Sequence, residues 1–94
     1  MTVACAELAL SIPFARSLKD KRMVARSVMD AARHKFHVSI AEVDAQDIHQ
    51  RLMIGLAVVS GEAGQARRMC EEIVRFIADR AEDAGAEMVE ARIW

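Results

Sequence analysis

The feature that most constrains this chain is a change of hydrophobic period, from two to 3.6 and back, made twice within 94 residues. Residues 2–12 alternate, so that Ala4, Ala6, Leu8, Leu10 and Ile12 share one face of a strand. Pro13 has no N–H to give to a ladder and closes it. Ser17, with Asp20 three residues on, is a helix start close to a capping box. From there to about Phe36 the period lengthens, and Leu18, Ala25, Val28, Ala32 and Phe36 fall on one side of a 3.6-residue wheel. His37–Val43 is rich in β-branched residues and reads as a second strand. The polar stretch Asp44–Gln50 is a connection with room for one helical turn. Arg51–Ser60 is a third strand, apolar nearly throughout, broken by Gly61. Residues 63–84 make a second amphipathic helix with Ala66, Cys70, Ile73 and Ile77 on its core side. Gly85 suits a helix C-cap, and Glu87–Trp94 alternates again as a last strand.

The order βαββαβ is that of the ferredoxin-like, split-βαβ arrangement. Right-handed crossovers would set both helices on one face of a four-stranded antiparallel sheet. The expected fold is therefore an α+β sandwich, with residues 1–94 forming one domain. A hydrophobic fraction of 53% is enough to fill a core without staples. The longest uncharged stretch, Leu52–Gly61, is ten residues, too short to span a bilayer. No cationic segment followed by an apolar run opens the chain, so no secretion signal is expected. Cys5 and Cys70 are the two cysteines, which make neither a disulfide framework nor a CxxC pair. A cytoplasmic protein without a membrane role is the expectation.

The near-neutral net charge of −1 hides an asymmetry. Residues 1–37 carry seven Lys or Arg against three acids, whereas residues 38–94 carry six against eleven. On the first helix Lys19, Arg22, Arg26 and Arg33 fall within about 60° of one another at 100° per residue. Arg16 lies just upstream, and Lys21 lies near enough to the buried side to snorkel along it. A spaced row of cations is what phosphate contacts require, since each neutralised phosphate releases counterions. Asp30 interrupts the row. The second helix is expected to be self-satisfied, with Arg67–Glu71, Arg68–Glu72, Glu71–Arg75 and Arg75–Asp79 all spaced i,i+4.

Three segments stand out together: Ala15-Arg16-Ser17-Leu18-Lys19-Asp20-Lys21-Arg22, Phe36–Val43 (FHVSIAEV) and Gln50–Ser60 (QRLMIGLAVVS). Their wording and spacing resemble the bacterial YlxP-like family, a domain of unknown function, over nearly the whole chain. The resemblance implies a ferredoxin-like fold and no established activity. It also implies genes that often sit near those for ribosome maturation and translation initiation. That family often carries an aromatic residue just before the Gln-Arg pair, where this chain has His49.

Two working surfaces follow. The first is the basic helix, with Arg16, Lys19, Lys21, Arg22, Arg26 and Arg33 as candidate contacts to RNA or the ribosome. The second is the sheet face turned away from the helices. The central first and third strands should present there Val3, Cys5, Glu7, Ala9 and Ser11, and Arg51, Met53, Gly55, Ala57 and Val59. Only two of these ten are charged, which is unlike a solvated antiparallel face. A homodimer through Val3, Cys5, Met53, Ala57 and Val59, or a protein-interaction scaffold without any nucleic-acid role, is the reading that face supports. A base-stacking reader of the RRM kind would need aromatics in the central strands, and residues 1–12 and 51–60 hold none.

No enzyme is expected. An acylphosphatase would need an Asn and a phosphate loop, and the chain lacks Asn altogether. A cluster-bearing ferredoxin would need four cysteines. No cofactor is implied and no metal site is assigned. Glu42, Asp44, Asp47 and His49 are a local set with ligand chemistry, but they equally suit a polar turn.

Overall fold

A computed structural model describes residues 1–45 and 47–94. The elements run β1 (Thr2–Ser11), α1 (Leu18–Phe36), β2 (Ser39–Asp44), β3 (Arg51–Ser60), α2 (Ala63–Asp83) and β4 (Glu87–Ile93). The strands form one antiparallel sheet in the order β2-β3-β1-β4. The two longest strands, β1 and β3, are central and pair over their full length, from Thr2 opposite Ser60 to Ser11 opposite Arg51. Helix α1 packs over β2 and β3, and α2 over β1, β3 and β4, so both helices cover one face.

Alternation in the strands decides which side chains meet the helices. Leu8, Leu10, Leu52 and Ile54 point into the helix layer and are completely buried, as are Val28 and Ala32 of α1 and Cys70 and Ile77 of α2. Burying each larger aliphatic side chain contributes about 1.5–3 kcal/mol. The core stripes of the two helices are Val24, Ala25, Val28 and Ala32, and Ala66, Cys70, Ile73, Ile77 and Ala81.

The ends of the elements follow local chemistry. The Ser17 hydroxyl accepts from the Asp20 N–H at 3.2 Å, and the Asp20 carboxylate accepts from the Arg16 N–H at 2.9 Å. One orphan donor of the first turn, and the N–H just before the cap, are thereby satisfied. His37 does not begin β2 as expected. It caps α1 in the left-handed region (φ 51°) with its N–H donating to the Arg33 carbonyl, and the strand starts at Ser39. At the other helix, Ala84 is the cap and Gly85 (φ 81°) follows it. The Ala86 N–H donates to the Ala81 carbonyl and the Gly85 N–H to that of Glu82, which is a Schellman closure. Of the helical turn expected within Asp44–Gln50, Gln46 lies outside the described residues. The remainder shows turns, with the Ile48 N–H donating to the Ala45 carbonyl at 3.1 Å.

Gly55, in mid-strand, has a packing reason. A Cβ there would lie 2.7 Å from Cγ1 of Val43, whose side chain folds over the open face at the β2 bulge. Gly55→Ala is therefore expected to lower stability by about 1–2 kcal/mol in urea unfolding. Adding Val43→Ala should recover most of that loss, which a simple change in strand propensity would not allow.

Burial pushes the Cys70 thiol above its ordinary range, with nearby Cys5 and Glu71 acting in the same direction and Arg67 against it. Cys5 is only partly buried. The native protein should thus react with a thiol reagent first at Cys5, and at Cys70 only on unfolding. The sign of the pH effect follows from the raised value. The unfolded chain gives up the Cys70 proton first as pH rises, so the buried neutral thiol costs stability only above the ordinary thiol range. Replacing Cys70 with Ala should flatten that alkaline loss in denaturation midpoints measured from pH 7 upward.

Candidate nucleic-acid interface

Helix α1 holds both its core stripe and its basic row by sequence spacing alone, and its solvent side carries Arg16 (just before the helix), Lys19, Arg22, Arg26 and Arg33, all exposed. The described ion pairs are Lys21–Glu42, Arg33–Asp30 and Arg68–Glu62. Arg16, Lys19, Arg22 and Arg26 thus pair with no carboxylate among the described residues. Arg33 is more committed. It holds Asp30 at 3.0 Å and donates to the Ile40 carbonyl at 2.8 Å, which ties the end of the row to β2. Asp30, expected to weaken the row, is neutralised by that pairing.

Lys21 does not belong to the row. Its side chain is 3% exposed, and its ammonium meets Glu42 of β2 at 2.7 Å and the carbonyls of Ala45 and Ile48 at 2.6 and 3.0 Å. Its charge is committed inside the fold, to two hydrogen bonds and one ion pair. The reason is angular: Lys21 falls among Val24, Val28 and Ala32 on the buried side, where its stem packs and its charge needs a partner. Glu42 is on the helix side of β2, opposite Ile54 of β3, and supplies that partner. Glu42 is thereby engaged away from Asp44, whose carboxylate accepts from the Ala45 N–H. Among the described residues no three His, Cys, Asp or Glu side chains gather as metal ligands would.

A groove of about 890 Å³ runs between α1 and α2 on the outer side of the helix layer. Arg26, His34 and Lys35 line it from α1, and Phe76 and Arg80 from α2, with Asp30 at one side. The Lys35 ammonium stands 5.0 Å above the Phe76 ring. The sequence reading missed Lys35, Phe76 and Arg80 as neighbours of the row, because only the antiparallel packing of the helices brings them together. It also overrated the second helix. None of its four i,i+4 pairs closes into an ion pair among the described residues, and Arg68 reaches back to Glu62 at 3.9 Å instead.

The expected sheet-face residues lie where the alternation put them. Val3 and Val59 are opposite one another and exposed, and Cys5, Met53 and Ala57 are half-buried on the same face. That face does carry one aromatic, contrary to the view from its central strands. Trp94 extends the β4 ladder beside Cys5, with N–H to carbonyl bonds of 2.7 and 3.0 Å, and the residue is 59% exposed.

These features define a ferredoxin-like α+β sandwich with a basic helix on one side and an open sheet on the other. The chain belongs to a family described as a protein of unknown function, DUF503, whose model matches residues 3–93. It is 36% identical over 75 residues to the uncharacterized protein YlxP of Bacillus subtilis (strain 168), covering 80% of this chain and 82% of that one. Among solved structures it is similar to a C-terminal segment of the aIF2 alpha subunit from Pyrococcus abyssi (TM-score 0.57, 17% identity, 98% of this chain and 48% of that one). It is also similar to the Bacillus subtilis YXEP protein, a dinuclear metal binding peptidase of the M20 family (TM-score 0.65, 12% identity, 99% of this chain and 25% of that one). A de novo designed ferredoxin-fold protein, LFR1 1, matches at a TM-score of 0.51 with 15% identity, over the whole of this chain and 82% of the design. The chain spans about half and a quarter of the two natural structures, and at these identities the likeness is one of fold. Among the described residues no helix is long and apolar enough to cross a membrane.

The contrast between Lys21 and its neighbour is measurable. Lys21→Ala would strand Glu42 and two carbonyls, and should cost about 2–3 kcal/mol in chemical denaturation. Arg22→Ala, on the exposed side one residue on, should stay within about 0.5 kcal/mol of the parent.

Proposed function

We propose that this protein is a non-enzymatic cytoplasmic module that contacts structured RNA, free or in the ribosome, through the phosphate backbone. The observation that carries the reading is the line of exposed cations Arg16, Lys19, Arg22 and Arg26, unpaired with carboxylates among the described residues, with Arg33 at its end. Lys19, Arg22 and Arg26 follow one another at about 4.5 and 6 Å along the axis, roughly one helical turn each, with Arg33 about two turns further on, so that each can meet a different phosphate. Arg80 and Lys35 extend the positive surface across the helix groove. Such contacts carry little base information, which agrees with a helix face that offers cations rather than base-stacking rings. The gene neighbourhood implied by the family resemblance points the same way.

The test is fluorescence anisotropy of a labelled structured RNA titrated with the protein at 50 and 200 mM salt. With about four phosphates neutralised, affinity should fall on the order of 50- to 150-fold across that range, according to whether the contacted strand is single or paired. The Arg22→Glu/Arg26→Glu variant, checked for fold by circular dichroism, should lose binding at both salt concentrations. Binding that ignores salt or survives the double variant overturns the reading, and leaves the scaffold role of the sheet face as the working hypothesis.

A further inference from the structure

The open face of the sheet is divided into two unlike halves by the register of its strands. One cross-strand row is Ser39, Ala57, Cys5 and Trp94, and the next is Ala41, Gly55, Glu7 and Arg92. The small side chains all fall on β2 and β3. They leave a shallow trough of about 250 Å³ over Ser39, Ala41, Gly55 and Ala57. The large side chain of the first row, Trp94, stands at the opposite edge, braced by the Arg92 guanidinium 5.4 Å from its ring. A knob and a hole thus occupy the same row about two to three strand spacings apart, with Val43 leaning over the Gly55 end of the hole and its Ser39–Ala57 row open.

We infer that a second copy of this chain docks on this face, with Trp94 of each copy seated in the β2–β3 trough of the other. A two-fold axis along the strands, between β1 and β3, carries β4 of one copy over that trough and keeps each row opposite itself. The contact is isologous, and the sheets pack in the aligned manner usual for β-sandwiches. The same operation carries Arg51 of each copy toward Glu87 of the other, since these sit on the two sides of Ser11 at the end of the sheet. Charge and the matching of rows select the occupant. Glu7, Glu87 and Glu90 outnumber Arg51 and Arg92 on this face, which disfavours an RNA backbone, while the two-fold operation sets Val3 of each copy over Val59 of the other and Cys5 over Ala57. Val3 and Val59, both exposed, continue the apolar contact at the other end.

The chain has one Trp, so Trp94 reports directly on its own burial. Sedimentation velocity from 2 to 200 µM should show a monomer–dimer equilibrium, and the Trp94 emission should shift to the blue as the dimer forms. Trp94→Ala should weaken association by at least about 30-fold, as truncation of a buried interface aromatic does. Ala57→Arg, which fills the trough with a charge, should do the same while leaving Trp94 in place with red-shifted emission. Circular dichroism confirms that each variant is folded, and Trp94→Ala stands as the test if Ala57→Arg is not. A wild-type monomer at 200 µM, or a dimer that persists in both folded variants, overturns the inference.

Discussion

The rest of this structure depends on one constraint: two helices can cover only one face of a four-stranded sheet. Every fully buried large side chain lies in the single layer between α1, α2 and the sheet, from Leu8 and Ile54 on the strands to Val28 and Ile77 on the helices. The strands must alternate to feed that layer, and the helices must confine their apolar residues to a stripe. What remains is two outward surfaces of different chemistry. The helix layer turns its cations to solvent, and the sheet turns out a face of small and apolar side chains with charges at Glu7, at Arg51 and along β4.

Lys21 shows how a charge can belong to the core layer. It lies at the boundary between the buried stripe and the basic row of α1, and the fold resolves the conflict by giving it Glu42 and two loop carbonyls. The same two hydrogen bonds and one ion pair tie helix, edge strand and the Ala45 and Ile48 carbonyls together. A cation so engaged is lost to any ligand, so the basic row shrinks to residues whose head groups reach solvent. Arg33 is intermediate, bound to Asp30 and to the Ile40 carbonyl and still half exposed.

The two surfaces lie on opposite sides of the molecule, so use of one does not block the other. A dimer through the sheets would place two basic helices on its outer sides, facing away from each other. Two RNA segments, or one that wraps around the pair, could then be held at once, with the gain in effective concentration that a second linked contact brings. The likenesses in hand speak to fold and family, and leave the chemistry to be read from the side chains themselves.

Much of this was legible in the residues. The alternation of Ala4 to Leu10, Pro13, the Ser17 cap and the apolar run Leu52–Val58 state the βαββαβ order, because period and capping are local properties of the backbone. The same periodicity put Arg22 and Arg26 on the outer side of α1 and Val3 and Val59 on the open face. The rest needed the tertiary structure, because it depends on which elements become neighbours. Only packing could bring Glu42 of β2 to Lys21, carry Arg80 and Phe76 to the side of α1, lay Val43 over Gly55 and stand Trp94 beside Cys5. The sequence by itself determined the elements and their faces through short-range sterics and hydrophobic period. The tertiary structure alone decided which charges are spent and which remain, because ion pairs and edge contacts form between residues far apart in the chain.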